Sequence, residues 1–359
     1  VERVSYDLAR AFAAQGHETS LLGRGWPGAE ERETLGGLKV TRLRGYPSSP
    51  SVAFNLVLDY LYSRRLLQAM PEADLWSTNS FWLPRLALRR RKGSRPAIVV
   101  NAQRMPHRQY GLYRGVDGIM VISEAVGAAI RRQAPWTAPL LRRISNPVDL
   151  AAFHPEPAPS RPGPPCIVFS GRITPTKGLR LLVAACAGLA REFPGLRLRL
   201  IGTAEVARGG AGPGFVRELR ELAVGLTLEF AGQVTDRREL ASELRRASAY
   251  VYPSIDDAGE ALGVAPMEAM ACGVPVVLSA LPCFADYARD GANCLVFSHR
   301  AADPVRELAR ALSRLLRDPA LSAALAAAGA ADMAALGVEG VAASHLAFFS
   351  DILAARPAQ

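Results

Sequence analysis

Residues 259–277 read GEALGVAPMEAMACGVPVV, a stretch of small and apolar residues that nevertheless holds two acids, Glu260 and Glu268, eight positions apart. Carboxylates accept hydrogen bonds, and a pair of them suits the vicinal hydroxyls of a sugar or ribose. Pro266 fits the first turn of a helix, and Gly273 followed by Pro275 fits its end. A short helix over 264–272 is therefore expected, with Glu260 in the loop before it and Glu268 about one turn inside. Its first N–H groups would be free to meet phosphate. The plain alternative is that Glu268 only complements the helix N-terminus and Glu260 is a solvated loop acid. A second stretch weighs against that alternative. FSGRITPTKGL, residues 169–179, carries Arg172 and Lys177 between Gly171 and Gly178 at the expected end of a strand. An Arg fork and a Lys point charge together suit a diphosphate. The chain uses three lysines against 40 arginines, so a lysine at this place runs against its own habit.

Helix and strand signals alternate along the chain, which predicts α/β layers built on parallel strands. In the first part, HETSLLG, LKVTRLRG, AIVVNA and GIMVISEAV read as strands, and SVAFNLVLDYLYSRRLLQAM as an amphipathic helix. In the second, the strands are CIVFSGRI, LRLRLIG, LTLEFAG, AYVYPS, VPVVLS and NCLVFS. Between the two lies FHPEPAPSRPGPPC, a proline-rich segment that sustains neither helix nor inner strand and reads as a stiff linker. The organisation expected is a first domain over 1–152, a linker over 153–165, a second domain over 166–333, and a terminal helix over 334–359 packing back on the first domain. Two doubly wound domains facing a cleft place ligands at the carboxyl ends of the strands. The chain opens on Val1 with a helix, VERVSYDLARAFAAQ, where a doubly wound domain normally has a strand first. A preceding strand and loop are therefore expected outside this sequence, and a leader segment stays open.

Composition narrows the function. The chain has 359 residues, of which 49% are hydrophobic and 21% charged, enough for two folded domains and against disorder. No run of about 20 uninterrupted apolar residues appears. Cys166, Cys186, Cys272, Cys283 and Cys294 are scattered through apolar segments without a C-x-x-C or Cys/His cluster. They read as reduced buried thiols in a reducing compartment, and no metal site is expected. Residues 1–150 hold 22 basic against 12 acidic residues, and the remainder is balanced, so the whole net charge of +10 lies in the first part. That excess suits an anionic partner such as a phospholipid surface, or it is no more than solvated helix faces. Nucleic acid is disfavoured, because aromatics are 7% and the basic run LRRRKGSR contains none.

GRITPTKG and EALGVAPMEAMACGVPVV together resemble the donor-site signature of the retaining GT-B glycosyltransferases of family four (glycosyl transferases group 1). VISEAV, SNPVDLAAFHP and VERVSYDLARAFAAQGHE resemble further segments of that family, in family order. The resemblance implies a GT-B fold and a retaining, metal-independent, cofactor-free transfer of a sugar from a nucleotide-diphosphate sugar to an anionic glycan or lipid-linked acceptor. A role in cell-envelope polysaccharide synthesis would follow, in the cytoplasm and peripheral to the inner membrane face. Arg172 and Lys177 would bind the diphosphate and stabilise charge on the departing nucleotide. Glu268 would hold the ribose and Glu260 the transferred sugar. Gly171, Leu262, Gly263 and Val264 would line the donor, with backbone N–H groups of the last three facing sugar and phosphate. Gln233 and Val234 would lie by the nucleobase. One departure stands out: family members often carry a histidine just after a first-domain strand, and here Asn101, Gln103 and Arg104 occupy that place, with His107 several residues on. The glycine-rich ARGGAGPG fits no phosphate fingerprint and reads as a mobile loop. A nucleotide-sugar epimerase or a sugar phosphorylase on the same fold is the alternative reaction.

Overall fold

The alternating pattern folds into two α/β units, Val1–Pro147 joined by Val338–Gln359, and Val148–Gly337. The computed structural model describes residues 2–26, 28–46, 51–89, 95–156 and 163–356. Part of the proline-rich linker (157–162) and part of the basic run (90–94) lie outside the described residues. The units part at Pro147 and again at Gly337, a few residues before and after the expected boundaries at 152 and 333.

The first unit opens with α1 (Glu2–Ala14) and continues through β1 (Ser20–Arg24), β2 (Arg32–Leu35), β3 (Leu38–Leu43) and α2 (Val52–Ala69). After these come β4 (Leu75–Thr78), α3 (Leu83–Ala87), β5 (Ala97–Ala102), β6 (Gly118–Val121), α4 (Glu124–Gln133) and β7 (Leu141–Arg143). Instead of one parallel sheet there are two. One has the order β1-β3-β2, with β2 antiparallel, and the other is a parallel sheet in the order β4-β5-β6-β7. β5 and β6 are buried along nearly their whole length, as strands covered on both faces must be. A second departure is α2. Its residues Phe54, Leu56, Val57, Tyr60 and Leu61 are exposed rather than packed into a core.

The second unit runs β8 (Cys166–Ser170), α5 (Leu179–Leu189), β9 (Arg197–Ile201), α6 (Gly212–Leu222), β10 (Thr227–Gly232), α7 (Arg237–Arg245) and β11 (Ala249–Tyr252). It ends with α8 (Val264–Ala271), β12 (Val276–Ser279), β13 (Leu295–Phe297), α9 (Pro304–Arg317) and α10 (Pro319–Ala334). The six strands form one parallel sheet in the order β10-β9-β8-β11-β12-β13. The chain starts at β8, works outward through β9 and β10, then returns to β11 on the other side of β8. The order therefore reverses between β8 and β11, and the loops leaving those two strands diverge around a topological switch point. The sequence places its cations after β8 and its acids after β11.

α11 (Val338–Ala354) returns to the first unit, where Val341, Ala342, Phe348 and Ile352 share a core with Leu8, Val99 and Met120. His345 is buried in the same helix beside Phe12 and Phe349, and desolvation pushes its pKa down to about 4. The five cysteines are buried and free.

Two glycines test how closely the second unit is assembled. Gly178 precedes α5 with φ of +69°, and a Cβ there would lie 1.9 Å from the carbonyl oxygen of Pro253. Gly188 lies inside α5 with nothing within 4 Å of a Cβ. Gly178→Ala should destabilise the second unit by about 2–4 kcal/mol, combining a left-handed alanine with overpacking against backbone. Gly188→Ala should stabilise it by about 0.5–1 kcal/mol through helix propensity. Urea unfolding followed by circular dichroism checks both.

Candidate active site

The site is assembled by short connections at the carboxyl ends of β8 and β11. After β8 the chain turns through Arg172 and a single 3-10 turn over Pro175–Lys177, and α5 then begins at Leu179. After β11 it passes through Ser254 and an acidic loop to α8. The two connections are hydrogen-bonded to each other: the Ile255 N–H donates to the Thr176 carbonyl at 2.9 Å. The close approach at Gly178 described above brings them within reach.

At their meeting point Lys177 Nζ donates to Glu260 Oε2 at 2.5 Å and to the Tyr252 hydroxyl at 2.7 Å. Glu260 Oε2 also accepts from Ser254 Oγ at 3.0 Å and from the Tyr252 hydroxyl at 3.3 Å. The Lys177 and Glu260 side chains are only 12% and 9% exposed, so this is an ion pair withdrawn from water and held by neutral donors. Burial first, and then the neighbouring Glu260 carboxylate, raise the Tyr252 phenol well above its usual pKa. Tyr252 therefore stays protonated as a donor throughout the physiological range.

Beside this pair, the backbone N–H groups of Leu262, Gly263 and Val264 at the entry to α8 donate to nothing among the described residues. The Gly263 carbonyl is held by the buried Tyr287 hydroxyl at 3.2 Å, which fixes the turn. Glu268 lies one turn inside α8, and both it and Glu260 raise the pKa of the buried Tyr250 phenol, behind the larger effect of desolvation. Arg172 is exposed, and its guanidinium lies against the backbone of Gly209, where a Cβ would come within 3.0 Å of it. Among the described residues it has no hydrogen-bond or ion-pair partner. Lys177 and Glu260 are thus brought into contact, Glu268 follows within α8, and Arg172 stands apart from the pair on the connecting loop it shares with Lys177.

The glycine-rich segment 207–214 is not a loose loop. Gly210 N–H donates to the Glu205 carbonyl, Ala211 N–H to Ile173 and Gly212 N–H to Ala204, at 2.7–3.0 Å. Of its residues, Arg208 lines a cavity of about 310 Å³, together with Thr203, Glu205, Phe230, Gly232 and Gln233 at the carboxyl ends of β9 and β10. Arg208 Nη1 donates to Gln233 Oε1 at 3.2 Å across it. Tyr252, Ser254 and Arg208 were not among the residues expected from the sequence. The first two stand at and just beyond the end of a buried strand, in AYVYPS, where the polar groups in an otherwise apolar run are the available signal.

An α/β unit with cations on one side of a switch point, and acids with a helix N-terminus on the other, brings together groups that can bind phosphate and hydroxyls. Comparison with known proteins identifies the family. Residues 152–332 match Glycosyl transferases group 1 and residues 1–152 match Glycosyltransferase Family 4; the chain belongs to this family. It has the GT-B fold. Sucrose-phosphate synthase from Thermosynechococcus elongatus superposes with a TM-score of 0.80 at 23% identity, covering 97% of this chain and 92% of that one. Anabaena Alr3699/HepE in complex with UDP and glucose gives 0.74 at 18% identity, covering 97% and 95%. Among relatives in sequence, a D-inositol 3-phosphate glycosyltransferase of Frankia alni is 35% identical over 207 residues, 54% of this chain and 49% of that protein. A phosphatidyl-myo-inositol mannosyltransferase of Mycolicibacterium smegmatis is 36% identical over 188 residues, 50% of this chain and 44% of that protein. These alignments span about half the length of the relatives.

The ion pair predicts its own energetics. Lys177→Ala strands a nearly buried carboxylate, and Glu260→Ala strands a nearly buried ammonium, so each should cost about 3–5 kcal/mol. The double variant should lose far less than the sum, leaving a coupling of at least about 1 kcal/mol. A double-mutant cycle by chemical unfolding, without ligand, measures it.

Proposed function

We propose that the protein is a retaining, metal-independent glycosyltransferase that moves a sugar from a nucleotide-diphosphate sugar to a glycan or lipid-linked acceptor. The observation that carries this reading is the Lys177 ammonium, held by Glu260 and Tyr252 next to the unpaired N–H groups of Leu262, Gly263 and Val264. As the glycosyl–phosphate bond breaks, its electron pair goes to the diphosphate oxygen. Fixed donors already aimed at that oxygen lower the barrier without reorganising. Arg172 adds a second, exposed cation for the diphosphate. Glu260 orients the ammonium and accepts from a hydroxyl of the transferred sugar, and Glu268 accepts from the ribose. The acceptor hydroxyl attacks from the face the nucleotide leaves, and the diphosphate takes its proton. The cavity beside Gln233 is the place this reading gives to the nucleobase. The inositol-directed names of two relatives favour a phosphorylated polyol or a lipid carrying one as acceptor.

Glu260→Gln and Lys177→Ala should each cut transfer by roughly 10² or more, a loss typical of removing one oxyanion donor. The assay measures release of UDP or GDP from a panel of nucleotide sugars, with circular dichroism as the folding control. Full activity in both folded variants would remove the site. Turnover of a nucleotide sugar to an epimer without acceptor would favour the epimerase alternative.

We further propose that the first unit meets anionic membrane as a peripheral surface. No helix among the described residues is long and apolar enough to cross a bilayer. α2 presents Phe54, Leu56, Val57, Tyr60 and Leu61 to solvent with exposed Arg64 and Arg65 following, an apolar face with a basic end. Such a face suits shallow insertion among acidic headgroups. Vesicles containing phosphatidylglycerol should retain the protein at low salt and release it at high salt, and Phe54→Glu with Val57→Glu should abolish retention. Equal retention on neutral vesicles would count against the surface.

A further inference from the structure

The connection from β11 to α8, which carries Glu260, is held at both ends: Ile255 N–H donates to the Thr176 carbonyl, and the Tyr287 hydroxyl donates to the Gly263 carbonyl. A third hold lies between them, at Asp257. It comes from the connection leaving β13, which lies two strands from β11 in the same parallel sheet. Arg300 Nη2 stands 2.7 Å from Asp257 Oδ1, and His299 Nε2 stands 3.6 Å from Oδ2. Each carboxylate oxygen thus faces a different side chain, which sets the orientation of the carboxylate as well as its place. Arg300, with burial opposing it, and to a lesser degree His299 hold the Asp257 carboxyl below its usual pKa range. His299 is withdrawn from water, with its side chain only 5% exposed, and neither ring nitrogen has a hydrogen-bond partner among the described residues. Buried polar atoms left unpaired are costly, so an imidazole kept here calls for a reason. Beyond Asp256 the loop is tightly wound. Gly259 N–H donates to Asp256 Oδ1 at 2.8 Å, and Glu260 N–H donates to the Asp256 carbonyl at 3.0 Å. A displacement of Asp257 therefore reaches Glu260 through one residue.

We propose that His299 and Arg300 are positioning residues, which act through Asp257 to hold the Glu260 loop so that Glu260 meets Lys177. The effect on turnover rests on the glycosyl-transfer reading; the effect on the ion pair does not. The Asp257 and Arg300 side chains are 40% and 68% exposed, and an ion pair so open to water adds little to stability. Its contribution is geometric. The Lys177–Glu260 attraction offsets the cost of burying both charges only with good geometry, so it is sensitive to small shifts of the loop. Arg300 alone could slide along an exposed carboxylate. The enclosed ring beside Oδ2 leaves Oδ1 to the guanidinium and removes that freedom. The imidazole thereby acts on the loop from a site that touches neither Glu260 nor Lys177.

The test begins without ligand, in the full chain. The Lys177–Glu260 coupling, from the cycle of Lys177→Ala and Glu260→Ala, is measured again in an Asp257→Ala background by chemical unfolding. Positioning predicts that about half of the coupling is lost. Arg300→Lys, which keeps a cation on Asp257, should retain most of it. His299→Leu should lose coupling as Asp257→Ala does, and His299→Gln, whose Nε2 replaces the ring's donor, should recover it. If Asp257→Ala fails to fold, Arg300→Ala takes its place at a more exposed position. Equal coupling in all backgrounds overturns the proposal, because independent contacts add and leave a coupling unchanged. The second readout is release of UDP from UDP-glucose and of GDP from GDP-mannose. His299→Leu should raise the donor KM by about threefold to tenfold, on the order of one lost hydrogen bond, with His299→Gln near wild type. A raised KM with an unchanged coupling overturns the clamp. A lost coupling with an unchanged KM upholds the clamp and removes Glu260 from donor binding. Release of neither nucleotide by wild type counts against the glycosyl-transfer reading, and the coupling then judges the clamp by itself.

Discussion

The second unit is organised around one ion pair that is expensive to bury. Lys177 and Glu260 are 83 positions apart in sequence, lie on different connections, and are almost withdrawn from water. Each ion loses several kcal/mol of hydration on burial, and the attraction between them offsets that only with good geometry and further hydrogen bonds. Tyr252 and Ser254 supply those bonds, and both stand at the end of β11. The pair therefore fixes where β11 ends relative to the turn after β8. The Thr176–Ile255 backbone bond and the tight passage at Gly178 are the further constraints that make the geometry reachable. A buried pair is poor evidence of added stability, because apolar residues of the same volume often do as well. What it provides here is an ammonium already stripped of water and already oriented.

That arrangement gives the lysine a meaning in a chain that otherwise chooses arginine. A guanidinium is planar and binds through a fork, as suits the exposed Arg172. The packed corner between Tyr252, Ser254 and Glu260 admits a compact point charge on a flexible stem. When an anion arrives, an ammonium with three donors can keep Glu260 and Tyr252 while turning the third outward. Site chemistry and local packing thus select the same residue type.

Much of this was legible because chemistry and punctuation coincide in the second unit. Pro266, Gly273 and Pro275 bracket a helix that the structure places at Val264–Ala271, and the apolar strands alternate with helices at the expected spacing. Glu260 and Lys177 were identifiable by type and place, but their direct contact was not, since nothing in either segment reports an approach across 83 positions. The glycine-rich segment after β9 reads as mobile from its composition, because glycine content reports permitted conformations and not the backbone bonds that the structure shows there. In the first unit the hairpin of β2 and β3 was missed, although Leu35-Gly36-Gly37-Leu38 is a two-residue turn with both glycines at positive φ, at +56° and +83°. The strand before it, Arg32–Leu35, has an Arg-Glu-Thr-Leu sequence with little β character, so only the turn announced it.

α2 shows a different limit. Periodicity in a sequence identifies a helix but not what its apolar face meets. A stripe of Phe54, Val57 and Leu61 at helical spacing reads as core, and the structure leaves it in solvent. The same ambiguity works in reverse for Asn101, Gln103 and Asn146, three polar residues at or beyond strand ends whose sequence does not announce that they are bonded to one another. In both cases the missing information is the partner: a side chain's type limits its possible bonds, and only the fold says which of them are made.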